Sequence, residues 1–258
     1  MNKSLLGYQR RVAPWILPLV LLVSWQIMSI NGLFSNLLAS PLDVITAGWR
    51  MAANGELFNH LVISFYRAFI GFLIGGGIGL FLGILNGMSS FAQRYLDTTI
   101  QMLRNVPNLA LIPLVIIYLG VGEGAKIFLV TAGVLFPVYI NTYHGIRSID
   151  PNMLEMSRMY GLSKWKRFTK VIFPGALPSI LVGVRYALGV MWVTLIVAET
   201  IAATSGIGYM SMNAREFMQI DVIILAIVLY ALLGKLADWL AGRAEQRLLR
   251  WNPAYSKK

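Results

Sequence analysis

The sequence predicts an all-α fold, a polytopic membrane bundle of six transmembrane helices, and three observations carry that prediction. Of 258 residues, 57% are hydrophobic and only 13% charged, about half the charged share of a soluble domain. Six apolar runs are separated by short polar stretches. The basic residues crowd into alternate connections, which is how charge orients spans in a bilayer. The net charge of +11 is therefore an orientation signal and not a nucleic-acid footprint. The absence of cysteine excludes disulfides and thiolate metal sites. His60 and His144 have no second ligand at metal spacing, so no metal is expected.

Lys3, Arg10 and Arg11 precede residues 12–30, which carry no charge. No small-x-small cleavage site follows, so this is an uncleaved first span with the N-terminus inside. Pro14 and Pro18 are placed in its first turns, where proline costs least. Ser40-Pro41-Leu42-Asp43 starts a helix with a serine cap, a proline and an acid at the third position. Leu42, Ile45, Trp49 and Ala52 then share a face up to Asn54-Gly55. This predicts an amphipathic helix on the outer surface, either a connector or a binding element.

In the second span, residues 61–88, Gly71, Gly75, Gly79, Gly83 and Gly87 fall at successive i+4 positions. Each would cost about 1 kcal/mol against alanine in a soluble helix. In lipid such a ladder lets another helix approach backbone to backbone, within the chain or at a dimer contact. Arg67 stands near the outer head of this span. The next apolar run, residues 109–119, makes about 16 Å of helix against roughly 30 Å of hydrocarbon. The third crossing must therefore begin near Asp97. That sets Asp97, Gln101, Arg104 and Asn108 on one stripe, with Pro107 and Pro113 breaking the helix. Polar groups at that depth must face protein or water. Either the stripe lines a path, where Arg104 suits a transient anion, or Arg104 snorkels to the inner interface.

Val121-Gly122-Glu123-Gly124-Ala125-Lys126 is an outer turn. It is not a phosphate loop, because no strand precedes it and no Ser or Thr follows the lysine. Residues 125–145 form the fourth span, kinked at Pro137, with Asn141 and His144 near its inner end. Residues 150–178 are the longest polar interruption. They carry Arg158, Lys164, Lys166, Arg167 and Lys170 against Asp150 and Glu155. Asp150-Pro151 starts a helix whose Met153, Met156 and Tyr160 share a face, and Gly161 ends it. Ser163 caps a second helix carrying Trp165, Phe168 and Ile172, which Pro174 and Pro178 stop. Such an elbow either rests on the membrane surface or docks into a groove of a soluble partner.

The fifth span, residues 179–203, repeats Arg185, Trp192 and Glu199 every seven residues, with Gly189 close to that stripe. Arg185 and Glu199 lie about 21 Å apart along the helix and cannot pair. Snorkelling toward opposite interfaces accounts for both. The alternative puts Trp192 and Glu199 in the outer part of a pathway. Residues 205–221 are an outer, glycine-rich segment with a short helix. Residues 222–242 form the last span, followed by Arg243, Arg247, Arg250, Lys257 and Lys258. Six spans put both termini and the 150–178 elbow inside, leaving Arg50, Lys126 and Arg215 outside.

Glu155, Gly161 six residues on, and Val171-Ile172-Phe173-Pro174 resemble the loop of importer-type ABC permeases. The family pattern is Glu-Ala-Ala, three residues, Gly, nine residues, Ile-x-Leu-Pro. Met156 and Ser157 replace the alanines, Val171 the isoleucine and Phe173 the leucine. The likeness covers nearly the whole chain. LDTTIQMLRNVPNLALIPLVIIYLG, FPVYINTYHGIR and GVRYALGVMWVTLIVAETIAATSGIGYM look most like aliphatic sulfonate permeases, with nitrate and taurine permeases more distant.

The resemblance implies a type I ABC importer permease fold. Residues 1–60 would hold the tail, first span and outer helix, residues 61–245 the permease core with a coupling loop at 150–174, and residues 246–258 a cytoplasmic tail. It implies that Glu155, Met156, Ser157, Met159, Gly161, Leu162 and Pro174 meet an ATP-binding subunit. Gln101, Arg104, Asn105, Pro107, Asn108, Trp192 and Glu199 would belong to the pathway or gate. Gly122, Glu123, Gly206, Gly208 and Arg215 would receive an extracytoplasmic substrate-binding protein. The expected assembly has two ATP-binding subunits, that binding protein and a second permease copy in a bacterial inner membrane. ATP and magnesium would sit on the partner, and this chain would hold no cofactor. The expected cargo is an aliphatic sulfonate, with nitrate, taurine or a pyrimidine precursor as alternatives. An intramembrane enzyme lacks any catalytic spacing here, and a stand-alone secondary transporter lacks the inverted repeats.

Overall fold

Backbone contact between two helices sets the architecture. Helix α3 (Glu56–Met88) and helix α6 (Glu123–Arg147) lie so close that a Cβ on Gly75 would strike the Thr131 carbonyl. One on Gly79 would come within 2.5 Å of the Leu135 carbonyl. Gly71, Gly83 and Gly87 face Val130, Thr142 and Ile146 in the same way. The ladder is thus an intrachain seam, which settles the choice left open by the sequence. Helix α9 (Phe173–Ala202) covers the other side of α6, where Gly183 meets Asn141 and the Pro137 carbonyl. The computed structural model describes residues 3–31 and 39–252, and its secondary structure is entirely helical among those residues.

The remaining helices surround this three-helix core. Helix α1 (Lys3–Ile30) begins before the first apolar run, so Pro14 and Pro18 fall inside it rather than in its first turns. Helix α2 (Pro41–Ala53) opens with the expected capping box: the Asp43 amide donates to Ser40 Oγ at 3.2 Å, and the Ser40 amide to Asp43 Oδ2 at 2.8 Å. Those donors hold the Asp43 carboxyl below its ordinary range. Val44, Ala47 and Met51 are its buried face, while Leu42, Ile45 and Trp49 are exposed. The stripe predicted from periodicity is real, but it faces away from the protein. Helix α10 (Ile207–Glu216) and helix α11 (Ile220–Leu248) close the bundle, with Ile207, Met210 and Ala226 in the same core as Val134 and Leu195.

The third crossing differs most from expectation. Helix α4 (Ser90–Arg104) and the run formed by a 3-10 turn (Asn108–Leu111) and helix α5 (Ile112–Leu119) meet at 84°. Asn105 ends α4, and Pro107, with extended backbone, starts the new direction. Asn108 is therefore not on the stripe of Asp97, Gln101 and Arg104. Pro113 does not break a helix. It occupies the first turn of α5, where its missing N–H is not needed. Length and composition support four crossings among the described residues, or five with the bent pair as one, and α1 adds a shorter apolar stretch. The expected number of six is not reached on those grounds. The end of the C-terminal tail, including Lys257 and Lys258, lies outside the described residues.

Candidate functional site

Helix α7 (Pro151–Met159) starts as the sequence requires, with the Asp150 carboxylate accepting from the Asn152 amide at 2.8 Å. Gly161 turns the chain at φ 67°, a conformation costly for any residue with a Cβ. Ser163 then caps helix α8 (Lys164–Arg167), accepting from the Lys166 amide. Pro174 and Pro178 do not stop this helix. A π turn over Phe168–Ile172 joins it to α9, and the Phe173 amide bonds five residues back to the Phe168 carbonyl. The extra residue places Pro174 in the first turn of α9, where no donor is lost. Pro178 lies inside α9.

The elbow has two faces. Ser157 is buried, with its hydroxyl on the Leu154 carbonyl at 2.6 Å, and Leu162 and Pro174 are half-buried. Met153, Met156, Met159 and Tyr160 are exposed, Met159 at 88%, and Trp165 stands beside them at 71%. Glu155 and Gly161 are also exposed. Of the expected coupling residues, Glu155, Met156, Met159 and Gly161 are thus exposed, Ser157 is buried within the elbow, and Leu162 and Pro174 are half-buried.

At the opposite end of α9 lies a buried ionic cluster. Arg67, wholly enclosed, grips the Glu123 carboxylate through Nε and Nη2 at 2.6 and 2.7 Å. Its Nη1 donates to Glu199 Oε1 at 2.8 Å and to the Ser205 carbonyl at 2.6 Å. Glu199, 1% exposed, also accepts from the Ser64 hydroxyl at 2.8 Å, the Gly208 amide at 2.9 Å and the Tyr230 hydroxyl at 3.1 Å. The Ile207 amide donates to Ser64 Oγ and the Gly206 amide to His60 Nδ1. Lys126, only 3% exposed, completes the set with a 3.1 Å pair to Glu123. Two carboxylates, two cations and the start of α10 are tied into one unit, and each buried charge has a partner.

These contacts revise several expectations. Glu199 does not snorkel; protein encloses it. Arg185, half exposed, pairs with Asp238 at 2.6 Å and Glu245 at 3.6 Å. Trp192 is buried against Tyr230 in the core, so neither Trp192 nor Glu199 faces an open path here. Gly206 and Gly208, assigned to an outer docking surface, are instead the space Glu199 occupies, since a Cβ on either would collide with its side chain. Glu123 keeps 53% of its side chain exposed although Arg67 holds it, while Gly122 and Arg215 are exposed. Lys126 is not an outer-turn charge but a buried partner.

Gln101 and Arg104 do come together, around a cavity of about 210 Å3 between α4 and α6 that Asp97, Tyr139, Tyr143 and His144 also line. Asp97 accepts from Gln101 at 2.7 Å and from the Tyr139 hydroxyl at 3.2 Å. Asn105 and Pro107 are exposed at the bend, and Asn108 is half-buried beside Gly133.

Arg67, Ser64, His60 and Tyr230 were not singled out as site residues. A signal existed: Arg67 stands four residues before Gly71, the next rung of the glycine ladder. A charge in register with a helix-packing seam has to enter the protein interior.

Known proteins resemble this chain over most of its length. A permease protein of Escherichia coli (strain K12) named for aliphatic sulfonates transport, SsuC, is 62% identical over 249 residues, covering 96% of this chain and 95% of that protein. The Bacillus subtilis (strain 168) protein of the same name is 43% identical over 241 residues, covering 93% of this chain and 87% of that one. Among solved structures, the inward-facing MetNI methionine ABC transporter aligns with a TM-score of 0.59 at 19% identity, over 79% of this chain and 98% of that one. That likeness establishes the fold, a type I ABC importer permease. Residues 75–250 match the family of binding-protein-dependent transport system inner membrane components, and the chain belongs to that family.

Proposed function

We propose that this chain is the membrane-spanning subunit of an ATP-driven importer of aliphatic sulfonates, working as a pair with two ATP-binding subunits and an extracytoplasmic binding protein. The observation that carries the reading is the outward face of the elbow. Met153, Met156, Met159, Tyr160 and Trp165 are all exposed on a two-helix support whose sequence is rich in Lys and Arg. Flexible methionines and aromatic anchors suit a groove on a soluble partner. The excess of basic residues on this side orients it to the cytoplasm, where ATP is available. This chain does no covalent chemistry in the reading. It supplies the path, and the partner's nucleotide cycle moves the elbow.

The test is uncoupling. Glu155→Ala and Gly161→Pro should leave the chain in the membrane while the assembled complex hydrolyses ATP without uptake. Normal uptake by both variants would refute the docking role. The sulfonate reading draws on the two relatives named for that cargo. Labelled alkanesulfonate uptake in a strain lacking this chain checks it, and restored uptake of nitrate or taurine in its place would overturn it.

A further inference from the structure

A second cavity, of about 590 Å3, lies beneath the elbow on the membrane side, where α3 and α6 end and α8 begins. Its volume falls within the range of small-ligand sites. Leu154 and Ile146 contribute to an apolar floor, and Arg147, Arg158, Lys164 and Arg167 line it with positive charge. Among the described residues no carboxylate lines it. Two acids adjoin lining residues in sequence, Asp150 beside Pro151 and Glu155 beside Leu154; Asp150 is engaged in capping α7, and Glu155 is exposed and outside the lining. None of the four cations has an ion pair among the described residues. Four like charges around one hollow repel one another unless an anion joins them.

We propose that this cavity binds an oxyanion of phosphate type, carried by the headgroup of an anionic lipid or by free phosphate or sulfate. Three features point to it. Guanidinium forks match tetrahedral oxyanions with paired, charge-assisted hydrogen bonds. The cavity sits level with the last residues of two spans, Met88 and Arg147, which is the headgroup layer of a bilayer. Basic hollows between helix ends at the cytoplasmic side recognise anionic headgroups, and the apolar floor accommodates the start of an acyl chain. The site goes beyond the docking surface: Leu154 and Arg158 line it, whereas the outward Met156 and Met159 do not.

The full-length chain in nanodiscs provides the test. Thermal unfolding is followed in phosphatidylcholine alone, with phosphatidylglycerol added, and with inorganic phosphate or sulfate replacing chloride at constant ionic strength. The midpoint should rise in one anion arm or both. A rise with phosphatidylglycerol alone assigns the headgroup, and a rise with phosphate or sulfate alone assigns the free anion. Arg158→Gln/Arg167→Gln should need at least about tenfold more anion for the same shift, the factor that losing one charge-assisted contact already gives. Lys170→Gln, an exposed neighbour outside the cavity, should respond as wild type does. If the double variant fails to fold, Lys164→Gln takes its place with a smaller deficit. The proposal is overturned if the wild type responds to no anion, or if the cavity variants respond as it does. It is also overturned if they only release a co-purified partner, since the cavity then holds that partner's acidic side chain.

Discussion

Replacing Arg67 should damage the fold more than replacing Glu199, although the two residues are partners. Arg67→Met removes the cation paired with Glu199, a carboxylate with no exposed side-chain surface, and leaves it with neutral donors among the described residues. Breaking a buried pair in this way costs about 3–5 kcal/mol. Glu199→Gln keeps the shape and leaves Arg67 bound to Glu123 through two contacts. It forfeits one charge-assisted hydrogen bond and mispairs a donor, about 1.5–3 kcal/mol. The double variant should cost less than the sum, because the charge orphaned by the first change is removed by the second. The assay is equilibrium unfolding in mixed micelles followed by tryptophan fluorescence, with Trp192 packed against Tyr230 as a nearby reporter. Equal losses for the two single variants, or full additivity, would refute the claim that Arg67 is the hub and Glu199 one of its dependants.

Other substitutions test the packing directly. Gly75→Val should separate α3 from α6, because its side chain meets backbone that cannot rotate away. Overpacking of this kind costs about 1–3 kcal/mol, and loss of monodisperse protein in detergent would register it. Gly77→Ala, with open space around it, should be neutral or stabilising by up to about 1 kcal/mol. Ser40→Ala should destabilise α2 by about 1 kcal/mol through loss of its cap, seen as faster amide exchange over Pro41–Ala53. Since Asp43 titrates below its ordinary value of 3.8, its share of the capping box is present above that pH and is lost as the pH falls through the lower folded value. Protection in α2, exchange taken relative to the intrinsic rate at each pH, should fall only at that acidic end; a loss of protection near neutrality would contradict the assignment.

What the sequence could show was register along each helix, and what it could not show was which helices meet. The glycine ladder announced a close neighbour without naming α6. Arg67 sits in the same i+4 register, yet reads only as a charge near the outer head of its span, because nothing local reveals that Glu123 and Glu199, far off in sequence, converge on it. Helix α2 makes the same point: residues 42, 45 and 49 and residues 44, 47 and 51 are both apolar faces, and periodicity alone does not say which meets protein and which meets lipid. Pro174 hides its role for a different reason. Under regular i→i−4 bonding a proline breaks the ladder, whereas a π turn shifts the pattern by one residue and absorbs it.

That absorbed proline has a mechanical consequence. Residues 164–201 run as one helical span of 38 residues, about 57 Å at helical rise. Its lower end is the second arm of the elbow, and its upper end carries Glu199, bound through Arg67 to α3 and α6. Had Pro174 ended the helix, a load on the elbow would have been lost in a flexible joint. With a continuous rod, displacement at Lys164 must either pivot α9 against α6 or be taken up by the π turn and Pro178, where the hydrogen bonding is weakest. Tight packing at Gly183 against Asn141 and Pro137 resists sliding near the middle of the rod and makes that contact a fulcrum. If the elbow is driven as proposed, its motion would tilt the upper half of α9 in the opposite sense. In the proposed coupling role the ionic cluster, together with the apolar packing of Trp192, Leu195 and Ala198, would have to yield or follow.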